Sequence, residues 1–363
     1  MTDLFTPLQA GDLALPNRVL MAPLTRCRAE DGHVPGALMA THYAQRASAG
    51  LLIAEATMAM EGNSAFWHEP GIHSEAQVAG WKKVTDAVHA AGGRIVLQIW
   101  HGGRACHPLL NDGRQPVAPS ALAITGDEVH TPQGKQPYVV PRELRDDELP
   151  DIVAGFARAA ENARAAGFDG VEVHGANGYL LEQFLRDSLN DRSDAYGGTI
   201  ANRARLMLEV MDAVVGEIGA GRTGLRLSPV TPANDLGQDS DAQALYGHVV
   251  EKLAPMKLAY LHLIEGATGG PRDAVPFGFE ALRRVFKAAN PAGAWMVNNG
   301  YDRTMAMAAV EQGRADLVAF GKPFISNPDL VRRLRENAAL NEPKRETFYG
   351  GGAAGYTDYP VLA

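Results

Sequence analysis

The sequence predicts an all-parallel (β/α)8 barrel, and three observations predict it. About eight short apolar runs recur along the 363 residues, each bounded by Gly, Pro or polar residues. Amphipathic helical patterns lie between them, which is the alternation of a parallel sheet, and about eight strands is the number that closes on itself. The competing doubly wound sheet carries a G-x-G-x-x-G turn after its first strand; here that strand is followed by "TRCRAEDGHVPG".

The strands, in order, are "RVLMAPL" (18–24), "GLLIAEA" (50–56), "RIVLQIW" (94–100), "GVEVHG" (170–175), "GLRLSP" (224–229), "AYLHLIEG" (259–266), "AWMVNNG" (294–300) and "ADLVAFG" (315–321). Their apolar residues barely alternate, as expected of strands buried on both faces. "LPDIVAGFARAAENARAAGF" places Ile152, Phe156, Ala159, Ala163 and Ala166 on one stripe, with Asp146 or Asp147 as its cap. "NRARLMLEVMDAVVGEIG", "AQALYGHVVEKLA" and "PDLVRRLRENAAL" have the same character, and "RTMAMAAVEQG" ends on Gly313 as a C-cap. Residues 1–17 read as a small hairpin that plugs the barrel bottom. Residues 102–146, long and rich in Pro and Gly, form an excursion after the third strand, where a loop of that length is a functional lid. The whole of 1–363 is expected as one barrel domain.

Composition excludes several classes. A formal net charge of −8 argues against nucleic-acid and anionic-membrane binding, which draw on a basic face. No window is apolar for 18 residues, and the N-terminus lacks the basic and apolar regions of a signal peptide. The only cysteines, Cys27 and Cys106, form neither a disulfide framework nor a metal-ligand spacing. The expectation is a cytoplasmic protein, monomer or homodimer, with small-molecule partners.

A barrel's active site lies at the C-terminal ends of its strands. Those ends offer Pro23-Leu24-Thr25, Glu55-Ala56-Thr57, Gln98 and Trp100, His174, Arg226 and Ser228, Glu265, Asn298-Asn299 and Gly321-Lys322. Gln, Trp, His, Asn, Tyr and Arg suit a planar heterocycle with carbonyl oxygens better than a divalent cation. Tight glycine turns after the last two strands, "NNGYD" and "FGK", sit where barrels bind phosphate. They nominate Asn299, Gly300, Gly321 and Lys322. A phosphorylated planar cofactor follows; FMN fits, and PLP fits less well because only Lys322 offers a Schiff-base amine.

The chain resembles the old yellow enzyme family of FMN-dependent ene-reductases, and looks closest to the bacterial N-ethylmaleimide, pentaerythritol tetranitrate and xenobiotic reductases. The motifs are "NRVLMAPLTRCRA", "YAQRASAGLLIAEAT", "LQIWHGGR", "GFDGVEVHGANGYLLEQFLRD", "YGGTIANRARL", "LRLSP", "ADLVAFGKPFISNPDL" and "FYGGGAAGYTDYP", spread from residue 17 to 360. The resemblance implies that Pro23, Leu24, Thr25 and Ala56 contact the isoalloxazine, with Thr25 on its O4. It places Gln98 at the pyrimidine edge and Arg226 by N1 and O2. His174 and Asn177 would hold the substrate's activating oxygen, Tyr179 would donate the proton, and Trp100 and Tyr349 would line the substrate space. It implies ping-pong reduction of activated alkenes by NADPH or NADH, with nitroester or nitroaromatic reduction as a side activity. One departure is Lys322, where the family commonly has Arg.

The less specific readings stand beside these. Glu172 and Arg226 on barrel strands also read as a structural ion pair, a reading that suits Glu172 better than Arg226. Glu55 and Glu265 read as structural, Tyr356 and Tyr359 as packing, and Asn190, Asp191 and Asp194 as turn chemistry. Two rivals remain: a metal-dependent barrel hydrolase using Glu55, His101, Glu172 and His174, and a flavoprotein without catalysis.

Overall fold

The computed structural model describes residues 2–273 and 275–363. Its centre is a closed barrel of eight parallel strands: β1 (Val19–Met21), β2 (Leu51–Met58), β3 (Ile95–Trp100), β4 (Gly170–Gly175), β5 (Thr223–Leu227), β6 (Tyr260–Ile264), β7 (Ala294–Asn298) and β8 (Leu317–Phe320). They pair in chain order, and β8 closes on β1 with Phe320 opposite Met21. Every predicted run overlaps one of them; Leu51–Met58 runs two residues past its predicted end and Thr223–Leu227 begins one residue before its predicted start.

Burial on both faces explains the missing alternation. Leu20, Leu51, Ile53, Val96, Met296 and Leu317 point inward to one cluster. Leu52, Leu97, Val171, Val173, Leu225 and Val318 belong to a second, which the helices cover. The N-terminal hairpin (Leu8–Ala10 with Leu13–Leu15) is present, and Leu13 and Leu15 seal the inner cluster, as the plug reading expects.

The amphipathic stripes become Leu149–Ala165, Ile200–Ile218, Ala242–Leu253, Arg303–Glu311 and Leu330–Glu336. Two details differ from expectation. Neither Asp146 nor Asp147 caps Leu149–Ala165; both lie in a 3-10 turn before it, and Glu148 is spent on Arg142 and the Arg145 N–H. "PDLVRRLRENAAL" is helical only to Glu336, because Asn337 turns left-handed at φ 52°. The helices Ala37–Ala44, Glu75–Ala90, Leu180–Leu185, Phe279–Ala289 and Lys322–Ser326 are additional to the expected ones. Glu75–Ala90 carries its own signal, a reciprocal capping box between Ser74 and Gln77.

Two irregularities position the site. The register of β2 against β3 slips between Ala54 and Thr57, a bulge of the kind that re-aims side chains beside active sites. It places Glu55 on the Arg26 N–H and the Tyr43 hydroxyl, while Ala56 joins an apolar cluster with Trp100. After β3 the chain makes its long excursion, which includes a hairpin (Glu128–Thr131 with Gly134–Pro137), before the Leu149–Ala165 helix. Among the described residues no helix is long and apolar enough to cross a membrane.

Candidate active site

The turn after β4 carries the most concentrated chemistry. His174 is the penultimate residue of the strand, and Asn177 (φ 58°) and Gly178 (φ 76°) take consecutive left-handed conformations. Asparagine tolerates that region through its short polar side chain. Gly178 has no alternative: a Cβ there would lie 2.8 Å from the Ala233 carbonyl oxygen. The reversal brings the His174 and Tyr179 rings to 5.1 Å between centroids, with Trp100 4.3 Å from Tyr179 in an edge-on contact.

The turn is tied down by buried groups that sequence reasoning passed over. Glu182 accepts hydrogen bonds from the Gly178 N–H (2.9 Å), the Ser228 hydroxyl (2.8 Å), Arg186 (2.8 Å) and the Tyr246 hydroxyl. The Ser228 oxygen in turn accepts the Asn177 N–H at 2.8 Å. Asn177 Oδ1 accepts from the Thr268 hydroxyl at 2.7 Å, which leaves the amide Nδ2 as the group facing the cavity. Arg104, buried, donates to the Leu122, Asn234 and Asp235 carbonyls, joining the excursion to the loop after β5. That loop reaches the turn through Asn234, whose Nδ2 donates to the Asn177 carbonyl. Glu182 meets Gly178 and Arg186 within four residues, but its bonds to Ser228 and Tyr246 span 46 and 64 and that of Arg104 to Asn234 spans 130, so no local pattern announces the network.

A cavity of about 570 Å³ opens over the strand ends, a size suited to a small-molecule or cofactor site. Among the predicted residues its wall includes Pro23, Leu24, Thr25, Asn177, Tyr179 and Arg226 on one side. Asn299, Gly300, Gly321, Lys322 and Tyr349 complete it. Ala56, Gln98, Trp100 and His174 are buried and do not form part of this wall. Phe66, absent from the sequence reading, stacks between Trp100 (5.9 Å) and Tyr349 (6.4 Å), so an aromatic row runs from the exposed Tyr349 to Tyr179.

Electrostatics assigns protonation states. Burial, then the Arg226 charge, hold the His174 pKa well below its ordinary value, so the ring is neutral at pH 7. Burial pushes the Tyr179 phenol above its ordinary range, so its proton is retained. Gln98 Nε2 donates to Glu172 Oε1 at 2.7 Å, and Glu172 Oε2 accepts from His262 Nδ1 at 2.8 Å. Arg226 donates to Asn298 Oδ1 at 2.8 Å. Glu172 and Arg226 therefore do not form the direct salt bridge that the structural reading offered.

A planar, anionic cofactor fits this set. Among the described residues no group pairs with Arg226 Nε, His174 Nδ1 or Trp100 Nε1, although all are buried. Buried polar atoms without partners call for an explanation, and a bound acceptor supplies one. On the opposite side Gly300 adopts φ 65° and Lys322 opens the short helix Lys322–Ser326. The Asn299 side chain is committed elsewhere: it binds the Glu265 and Ala267 carbonyls and the Gly269 N–H, so only its backbone is left for a phosphate.

The bland readings are also resolved. Glu265 pairs with Arg272 and the Tyr301 hydroxyl. Tyr356 is stacked on His42 at 3.9 Å, with Arg28 on it at 4.3 Å. Asp194 and Asn190 fix the 190–196 turn. Both thiols are buried, and burial raises their pKa, which makes them poor nucleophiles. Of the residues of the metal alternative, Glu55, His101 and Glu172 each hold separate protein partners, and the described residues contain no group of three or more metal-ligating side chains.

Comparison with known proteins agrees with this geometry. The model of the NADH:flavin oxidoreductase / NADH oxidase family matches residues 3–341. A probable flavin mononucleotide-dependent alkene reductase of Leishmania infantum is 47% identical, over 98% of this chain and 96% of its own. 12-Oxophytodienoate reductase 7 of Oryza sativa subsp. japonica is 44% identical, over 99% and 94%. A solved structure of morphinone reductase superposes with a TM-score of 0.94 at 48% identity, covering 99% of this chain and 96% of that one. An old yellow enzyme homologue from Zymomonas mobilis gives 0.93 at 43%, covering 99% and 100%. With the barrel, the turn after β4 and the cavity all in agreement, the chain belongs to the NADH:flavin oxidoreductase / NADH oxidase family, and is an oxidoreductase of the old yellow enzyme type.

Proposed function

We propose that this FMN-dependent oxidoreductase uses NADPH or NADH to reduce activated C=C bonds in small molecules such as enones, maleimides and nitroalkenes. The observation that carries the reading is the convergence of the His174 ring, the free amide Nδ2 of Asn177 and the protonated phenol of Tyr179 beside the Arg226 cation.

Bound FMN supplies hydride chemistry in two halves, accepting a hydride from the nicotinamide and delivering one to the alkene β-carbon. Pro23, Leu24, Thr25 and Ala56 would contact its ring and Gln98 its pyrimidine edge. Lys322, Gly321, Gly300 and the Asn299 backbone would hold its phosphate. Arg226 is a fixed cation for the charge that reduction creates. His174 and Asn177 donate to the oxygen that gains charge as hydride arrives, and losing one such donor costs about 2.7–4 kcal/mol. Tyr179 gives its proton to the α-carbon and recovers one from water, so the sum is alkene, NAD(P)H and a proton to alkane and NAD(P)+. Trp100, Phe66 and Tyr349 give a flat substrate apolar walls, and the 102–146 excursion serves as the lid. A cytoplasmic enzyme, monomeric or homodimeric, suits its two free buried thiols.

The test is a visible spectrum of the purified protein, anaerobic reduction with NADPH or NADH, then 2-cyclohexenone or N-ethylmaleimide. Flavin absorbance that bleaches and returns on enone addition is expected. A colourless protein, or a reduced flavin that neither enone reoxidises, overturns the reading. Tyr179→Phe isolates the proton step: reoxidation slows roughly 100-fold or more while reduction is unchanged. Full-rate reoxidation removes Tyr179 from the mechanism.

A further inference from the structure

Glu172 sits inside the barrel, fully buried, and its two oxygens each take one donor. Gln98 reaches it from β3 as its register neighbour, and His262 reaches it from β6. The strand between, β5, has Gly224 opposite Glu172, and a Cβ there would lie 2.2 Å from the Tyr260 ring. That glycine leaves room for contact across an intervening strand.

Two consequences follow from the donors. Gln98 has its Nε2 on the carboxylate, so its Oε1 is the end left to face a cofactor. The pyrimidine edge of a flavin presents one N–H between two carbonyls, and an amide oxygen is the partner that N–H needs. The second consequence concerns charge. Arg226 is buried at the cavity, burial works against its charge, and Glu172 is the foremost group that works for it. A buried cation beside a reduced flavin stabilises the anion; a buried carboxylate behind it opposes that stabilisation.

We propose that Glu172 is a positioning residue that presents the Gln98 oxygen to the flavin and offsets Arg226, holding the two-electron potential below the value Arg226 alone would set. The proposal rests on the FMN reading. It gives a strand residue with no access to substrate control over how readily the flavin gives up its hydride.

The test compares holoprotein of the wild type, Glu172→Gln and Glu172→Asp, each equilibrated with a redox dye of known potential. Glu172→Gln keeps the shape and loses the charge. Its ratio of reduced to oxidised flavin at fixed dye ratio is expected to rise at least tenfold, a positive shift of about 30 mV for a two-electron couple. Glu172→Asp keeps the charge and is expected within threefold of wild type. An unchanged ratio in Glu172→Gln, or equal shifts in both variants, overturns the proposal. If Glu172→Gln does not fold with flavin, Glu172→Met carries the test. It removes the same charge, so the ratio rises there too, and an unchanged ratio overturns the proposal. Wild-type protein without flavin removes the underlying function reading as well, whereas wild-type turnover with an unmoved Glu172→Gln potential removes this proposal alone.

Discussion

Replacing Glu182 with alanine tests the scaffold beneath the turn after β4. The side chain is fully buried and bonded to Arg186, itself 1% exposed. Removing one partner of a buried ion pair costs about 3–5 kcal/mol, because the other charge is left without compensation. The Gly178 N–H and the Ser228 and Tyr246 hydroxyls lose their acceptor in the same step. Unfolding entropy of about 2.1 cal/mol/K per residue gives about 0.76 kcal/mol/K for 363 residues, so the loss lowers Tm by about 4–7 °C. Differential scanning calorimetry reads it directly. A Glu182→Leu/Arg186→Met double variant, which removes both charges, is expected to recover more than half of the Tm loss. It is not expected to recover activity, because the Gly178 and Ser228 donors that set Asn177 remain unanchored. A Glu182→Ala Tm within 1 °C of wild type, or a double variant with full activity, would falsify the argument that this carboxylate sets the turn.

Other predictions concern single contacts. Thr268→Val removes the hydroxyl that orients Asn177, and KM for an enone is expected to rise about 2–10-fold, the worth of one hydrogen bond; Thr268→Ser restores it, and an unchanged KM in the valine variant refutes the role. Lys322→Arg replaces a point charge with a bidentate donor, so FMN is expected to dissociate about tenfold more slowly; equal or slower release from wild type refutes this. His101 accepts the Gly103 N–H through Nδ1, and burial lowers its pKa from 6.5 to about 3. As pH falls below about 6.5 the unfolded chain takes a proton that the folded chain refuses. This contribution is complete above that pH and is lost at about 1.4 kcal/mol per pH unit as acid is added. Urea titrations between pH 6.5 and 4 should show His101→Gln with a slope shallower by that amount, and parallel slopes speak against it.

How much of this was legible depends on the range of each interaction. The barrel strands were readable because burial on both faces writes a continuous apolar run into a few residues, as in "RIVLQIW" and "GLRLSP". The rule that chemistry gathers at strand ends then selected Arg226, Thr25 and the turn at 174–179 without any distance. Charged residues buried at long range left no trace. Glu182 and Ser228 are 46 positions apart, and Arg26 meets the Phe348 carbonyl across 322. Glu172 was visible as a strand residue, but its partners lie 74 and 90 positions away, so neither the ion-pair reading nor the metal reading pointed to Gln98 and His262. Asn299 shows a different limit: its glycine turn is visible in the sequence, but the service of its side-chain amide to the loop at 265–270 is not.

The clamp on Tyr356 bears on when the protein becomes competent during synthesis. Arg26 donates to the Phe348 and Gly355 carbonyls, Arg28 to Gly352, and Arg46 to Ile325 and Tyr356. A wall of the cavity that includes Phe348 and Tyr349 thus hangs on arginines translated some 300 residues before it. A nascent chain that has built seven strands still lacks β8, Lys322 and this wall. The cavity over the strand ends is therefore incomplete until residues 317–356 have been made and folded back, and until then Arg26, Arg28 and Arg46 lack the C-terminal carbonyls they hold in the folded chain.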